Sequence, residues 1–143
     1  MSKSSNFAAP EDIEQAFYES IVKGDADLLI QLWSEEEETI CVHPTGARLN
    51  GLTLIRDSWR NIFATARIRV QPTLVAHWHS SVLAVHHLTE VLFVGDDPSP
   101  HGPLHVTQVY SRGAHGWRLV SRHASAADDN QQALVDSVPH TLH

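Results

Sequence analysis

The run ETICVHPTGARLNG at 38–51 sets one imidazole, His43, at the end of a short apolar segment, directly before a turn forced by Pro44 and Gly46. Histidine changes charge near neutral pH, so in this position it could take or deliver a proton, or simply form a hydrogen-bonded wall of a cavity. A second histidine, His123, sits in the alternating run WRLVSRHAS, and Gln108 and Tyr110 occupy the preceding alternating run. His43 or His123 would serve as general base or acid, with Gln108 or Tyr110 donating to a developing oxyanion. The chain holds 11 histidines, which raises the question of metal binding. His77, His79 and His86 would cluster on the outer face of a hairpin with Glu90 beyond them, but the spacing matches no dedicated site, so no functional metal is expected. Cys41 is the only cysteine, which excludes an intrachain disulfide, and nothing beside it in sequence marks an activated thiolate. No phosphate-cradling glycine loop is present.

The elements that must hold these groups are legible from periodicity. Residues 11–23 place Ile13, Phe17, Ser20 and Ile21 on one side of a helix, with Pro10 at its start and Gly24 at its end. Asp25 can cap a second, short helix that runs to Ser34 and buries Leu28, Leu29, Leu32 and Trp33. A third helix over 51–66 carries Ile55, Trp59, Ile62, Phe63 and Ala66 on one stripe. From Ile68 the period becomes two, predicting strands over 68–79, 82–94, 104–112 and 117–125. Helices followed by a strand meander imply an α+β fold, with three N-terminal helices packed on one face of an antiparallel sheet.

A two-residue turn at Ser80-Ser81 would place Leu74 opposite His87 and His77 opposite Ala84. The inner face would then carry Ile68, Val70, Leu74, Val85, His87, Thr89, Val91 and Phe93, and in the last strand Trp117, Leu119, Ser121 and His123, with Arg118 and Arg122 pointing out. His43, His87, Thr89, Gln108, Tyr110, Ser121 and His123 would all face the helices. An unpartnered buried polar group costs about 1–3 kcal/mol, so these seven predict a pocket holding water or a ligand. Phe17, Trp33, Trp59 and Phe63, with Trp117, would line it. Outward-facing Val75, Ala84, Leu88 and Leu92 would form a dimer contact.

Composition limits the partners. With 143 residues, one domain can bury a single core, spanning 11–126 between a flexible lead-in at 1–10 and a polar tail at 127–143. Ten Lys and Arg against 17 Asp and Glu give a formal charge of -7, which disfavours nucleic acid and anionic membranes. Four consecutive glutamates, Glu35 to Glu38, read as a solvated turn, and His101 and His105 as solvated residues by a Pro-containing loop at 96–103. Neither a signal peptide nor an apolar run of membrane-spanning length is visible, so a cytoplasmic protein is expected.

The order of these features carries a resemblance. A helix ending in KGD at 23–25, a strand ending in HPTG, a Gly51-led helix containing Trp59, and a meander closing on WRLVSRHAS resemble the nuclear transport factor 2-like superfamily. That group includes ketosteroid isomerase, scytalone dehydratase, SnoaL-like polyketide cyclases and the association domain of calcium/calmodulin-dependent kinase. The resemblance implies a cone-shaped curved sheet around a deep pocket and a homodimer joined through the outer sheet face. His43 falls where the catalytic aspartate of ketosteroid isomerase precedes a proline, Phe17 where its tyrosine donor lies, and Gln108 near its second oxyanion donor. Ser121 and His123 fall on pocket-lining positions. With the aspartate and the tyrosine both replaced, that enzyme's own mechanism is not implied. Another cofactor-free proton transfer, dehydration or cyclisation on a small apolar molecule is; the alternatives are a non-catalytic binding module and a dimeric assembly domain.

Overall fold

A computed structural model describes residues 6–127. Helix α1, Pro10–Lys23, starts at the proline and ends where Gly24 turns left-handed at φ 66°. There the Gly24 and Asp25 amides donate to Ile21 and Ser20 carbonyls, closing the last turn. Helix α2, Ala26–Ile30, is capped by Asp25, whose carboxylate accepts from the Leu28 amide at 3.0 Å. Strands β1, Ile40–Val42, and β2, Arg48–Asn50, flank the His43 turn, and helix α3, Leu52–Thr65, follows. Four long strands complete the fold: β3, Ile68–His79; β4, Leu83–Val94; β5, His101–Gly113; and β6, Gly116–Ala126.

The six strands form one sheet in the order β2-β1-β6-β5-β4-β3. All neighbours are antiparallel except β1 and β6, which run parallel and place Cys41 beside Arg122. The fold is therefore α+β, as expected, but the sheet is mixed rather than wholly antiparallel. Ile13, Phe17, Ile21, Leu29, Trp33, Ile55 and Trp59 pack from the helices against Cys41, Ala84, Tyr110 and Leu119 of the sheet. Among the described residues, no helix is long and apolar enough to cross a membrane.

Two bulges reverse part of the expected facing. In β3, Leu74 pairs with Leu88 and Ala76 with His87, so Val75 is the extra residue. Beyond it His77 and His79 turn towards the helices while Ala76 and Trp78 turn away. The connection to β4 is also longer than two residues: the Ser80 amide donates to the Leu83 carbonyl and His79 pairs with Ala84. In β6, Val109 pairs with Ser121 and Tyr110 with Leu119, leaving Val120 as the extra residue. Trp117 and Leu119 point in on one side of it and Arg122 and Ala124 on the other.

Several expected placements are corrected accordingly. His87 and Thr89 are half-buried on the outer face, where His87 meets the Thr107 hydroxyl at 3.0 Å. Ser121 shares that face, and His123 is exposed. Ala84, Leu88 and Leu92 pack inward and cannot form the dimer contact expected of them, whereas Val75 is 66% exposed. Within the expected flexible lead-in, Phe7 bridges Gly116 and accepts from the Trp117 amide at 3.0 Å. Residues 1–5 of that lead-in, and the tail beyond 127, lie outside the described residues.

Candidate functional site

His43 leaves β1 into a turn closed by two backbone bonds, in which its amide donates to the Ala47 carbonyl and the Gly46 amide donates to the His43 carbonyl. This fixes the imidazole over α3. Its Nε2 meets the Ser58 hydroxyl at 2.5 Å, and its ring stands edge-on to Trp59 with centroids 5.2 Å apart. Phe17 and Phe63 lie against the same indole, at 5.8 and 5.7 Å, so these four rings form one continuous aromatic wall. Burial, and then the positive charge of Arg122, lower the His43 pKa below its usual 6.5. The ring is therefore neutral at pH 7 and has a lone pair to offer. Cys41, 4.0 Å from Nε2, is pushed up to about 11 by burial, so it is a thiol and not a nucleophile at neutral pH.

Behind this wall lies a polar assembly that accounts for the interior. Arg122 clamps Glu90 through both terminal nitrogens, Nη1 at 2.8 Å and Nη2 at 2.9 Å. Its guanidinium stands over Phe17 and Trp59, 5.0 and 5.8 Å from their centroids. Tyr18 donates to Glu90 at 2.6 Å, and Arg122 also donates to the Gln108 carbonyl oxygen at 3.0 Å. The Gln108 amide donates to Tyr110 at 2.6 Å, and Tyr110 to Glu14 at 2.8 Å. Glu14 accepts in addition from His86 Nδ1 at 2.7 Å. Burial drives the Glu90 pKa upward, but the Arg122 charge, its hydrogen bonds and that of Tyr18 outweigh this and hold the carboxylate ionised. Tyr18 and Tyr110 are raised far above 10, chiefly by burial and then by the carboxylates they face, so both remain donors.

The interior is thus as polar as the alternation implied, but different residues carry the charge, and they satisfy one another. Of the residues expected at a site, His43, Phe17, Trp59 and Phe63 come together in the wall, and Gln108 and Tyr110 lie in the buried assembly. The Gln108 amide is engaged at both ends. Trp33 is packed in the core beside Leu119, while His87, Thr89, Ser121 and His123 lie on the other side of the sheet. Sequence reasoning missed Ser58, Glu14 and Tyr18, and set Glu90, Arg122 and His86 on the outer face, whereas all three are buried. Glu14 and Tyr18 stand next to the apolar positions 13 and 17 of α1, and this spacing could have marked them as inward-reaching. Two clefts of about 530 and 550 Å³ border Phe63 at the C-terminal end of α1, and a third of about 470 Å³ runs along α1 past Glu11, Glu14, Tyr18 and Pro72.

Comparison with known proteins agrees with this architecture. A structure from Thiobacillus denitrificans, described as a candidate calcium/calmodulin-dependent protein kinase type II association domain, is 32% identical. It superposes with a TM-score of 0.79 over 86% of this chain and 98% of its own. A candidate dehydratase of the nuclear transport factor 2-like family from Streptomyces avermitilis is 27% identical, with a TM-score of 0.71 over 82% and 93% of the two chains. A ketosteroid isomerase-like protein from Erwinia carotovora atroseptica shares the fold at 10% identity, with a TM-score of 0.68 over 82% and 93%. No curated protein matches the chain. The model of the SnoaL-like domain matches residues 11–129, spanning α1 through β6 and both the aromatic wall and the buried ion pair, and the chain belongs to that family within the nuclear transport factor 2-like fold.

Proposed function

We propose that this SnoaL-like protein moves a proton on a small, largely apolar organic molecule without a cofactor, in the manner of an isomerase, dehydratase or cyclase, with His43 as the base. The observation that carries the reading is the neutral His43 imidazole on the Ser58 hydroxyl, at the rim of an aromatic wall backed by a buried cation. The Arg122 charge that disfavours the imidazolium would favour the enolate or alkoxide left on a substrate once its proton is taken. Arg122 Nε is buried and has no hydrogen-bond acceptor among the described residues, so the guanidinium keeps donor capacity beyond that spent on Glu90 and Gln108. Phe63, half-buried and bordering two clefts, offers apolar surface to such a ligand, with Trp59 and Phe17 packed behind it.

Solvent-deuterium incorporation tests this, because exchange reports proton abstraction whatever product follows. In D2O, the protein should exchange the α-hydrogens of at least one member of a panel of cyclic and aryl ketones above the buffer rate. His43→Ala should lower that exchange by about 10²-fold, the lower end of the usual contribution of a general base. A folded His43→Ala variant exchanging at the wild-type rate, or no exchange across the panel, would overturn the assignment.

A second reading, assembly through the outer sheet face, draws on Trp78 at 60% and Leu83 at 47% exposure. It also draws on the 32% identity to a structure described as an association domain. The two readings are compatible, because the wall and the outer face lie on opposite sides of the sheet. A protein that stays monomeric at high concentration would remove the second.

A further inference from the structure

We propose that Glu11, His79 and His86 form a binding site for one divalent transition-metal ion, zinc in preference to magnesium or calcium. The site is separate from His43 and does not depend on the proton-transfer reading. It follows from the β3 bulge: with Val75 inserted, His79 turns to the helix face, where the N-terminal turn of α1 supplies Glu11. His79 Nε2 and His86 Nε2 are 2.9 Å apart, and Glu11 Oε2 lies 3.4 Å from the first and 3.9 Å from the second. A tetrahedral ion with bonds of about 2.0–2.1 Å separates its ligand atoms by roughly 3.3–3.4 Å. The three observed separations bracket that value, so a shift of about half an ångström in each side chain closes the triangle on an ion.

The protonation pattern fits a metal as well as the distances do. Glu14 Oε1 accepts from Tyr110 and faces His86 Nδ1 at 2.7 Å, and a carboxylate oxygen there requires Nδ1 to carry the proton. In the neutral ring the lone pair then lies on Nε2, the atom that faces His79 and Glu11. Carboxylate, histidine and metal in series is the arrangement by which proteins orient a ligating imidazole and raise its basicity. His86 is fully buried and Glu14 only 16% exposed, whereas His79 and Glu11 are 31% and 54% exposed, so one ligand is anchored and two are reachable from solvent. To bind the ion, His79 need only move its proton from Nε2 to Nδ1. Two imidazoles and one carboxylate favour zinc and its neighbours over hard, oxygen-seeking cations. Three protein ligands also leave a fourth position for water or for a donor from the adjoining cleft of about 470 Å³, which Glu11 and Glu14 line.

Chelator-treated full-length protein, titrated with zinc chloride by calorimetry in excess magnesium, should bind one zinc per chain. Cobalt(II) in place of zinc should give the intense visible absorption of a tetrahedral centre. Glu11→Gln and His79→Ala change partly exposed side chains and should keep the wild-type far-UV circular dichroism. Glu11→Gln should weaken binding about tenfold, and His79→Ala by at least a hundredfold, beyond the ~10–100-fold loss usual for an orienting partner alone. His123→Ala, on the other sheet face, should bind as wild type. Wild-type affinity in His79→Ala, zinc binding only at several weak sites, or an octahedral cobalt spectrum would each overturn the proposal.

Discussion

Exchanging Arg122 for methionine would leave the Glu90 carboxylate fully buried with Tyr18 as its remaining hydrogen-bond partner, three hydrogen bonds reduced to one. Removing one member of a buried ion pair costs about 3–5 kcal/mol while the other stays charged. In a chain of this size each kcal/mol lowers Tm by roughly 2–4 °C, so the loss at neutral pH is on the order of 10 °C. The variant can escape the penalty by protonating Glu90, and this gives the effect a sign in pH. In the wild type the folded pKa lies below 4.5, so the stability Glu90 contributes is present above pH 4.5 and lost as pH falls through the folded value. In Arg122→Met, burial acts with only Tyr18 against it and raises the folded pKa above that of the unfolded chain. The stability is then present below about pH 4.5 and lost as pH rises, by up to about 1.4 kcal/mol per pH unit until the folded pKa is passed.

Urea unfolding followed by tryptophan fluorescence at pH 5, 6, 7 and 8 reads this directly, because taking the difference from wild type cancels titrations common to both. The deficit of Arg122→Met should grow from pH 5 upward. Adding Glu90→Leu should recover much of it at pH 8, since a buried pair can often be replaced by apolar groups at little cost. A deficit that is constant or shrinks with rising pH, or a double variant less stable at pH 8 than Arg122→Met alone, would refute the account of the pair.

For any substrate found by deuterium exchange, the acid limb of the rate should fall below pH 6.5, because burial and Arg122 lower the His43 pKa; a midpoint at or above 6.5 would contradict this. Gly116→Ala should cost about 1–3 kcal/mol in urea titrations, since φ is +83° and a Cβ would sit 2.6 Å from the Phe7 carbonyl oxygen; an unchanged midpoint would show that the Phe7 bridge contributes nothing. On the assembly reading, the wild type should scatter light as a dimer and Trp78→Asp as a monomer at the same concentration, and a variant that scatters as the wild type does would count against that face as the interface.

The elements were legible because their ends are chemically marked. Pro10, Gly24, Asp25 and Gly51 punctuate the helices, and the long alternating runs mark four strands, although α2 ends at Ile30 rather than Ser34 and β5 begins at His101, inside the stretch expected to be a loop. Facing was harder to read. In β4 both parities are apolar, Val85, Val91 and Phe93 on one side and Ala84, Leu88 and Leu92 on the other, so alternation alone does not choose between them. What chooses is the set of partners offered by α1, Glu14 and Tyr18, which reach His86 and Glu90. Arg122 was expected outside because arginine is seldom buried unless paired, and its partner lies 32 residues earlier in the chain. One signal was present in β6: the apolar positions move from odd, at Trp117 and Leu119, to even, at Ala124 and Ala126. An inserted residue at Val120 accounts for that shift. His43 was legible as a position because a turn follows it, but its neighbour Ser58 comes from a helix 15 residues away and has no local mark.

Strand β3 has a role that goes beyond where its histidines point. It is 12 residues long and lies at one end of the sheet, the type of rim onto which a stray strand from another molecule can zip. Pro72 has no N–H to offer such a visitor, and a short way further along the rim the Val75 bulge breaks the ladder's even spacing. The residue that swings the histidines inward therefore also makes this rim a poor template for an added strand.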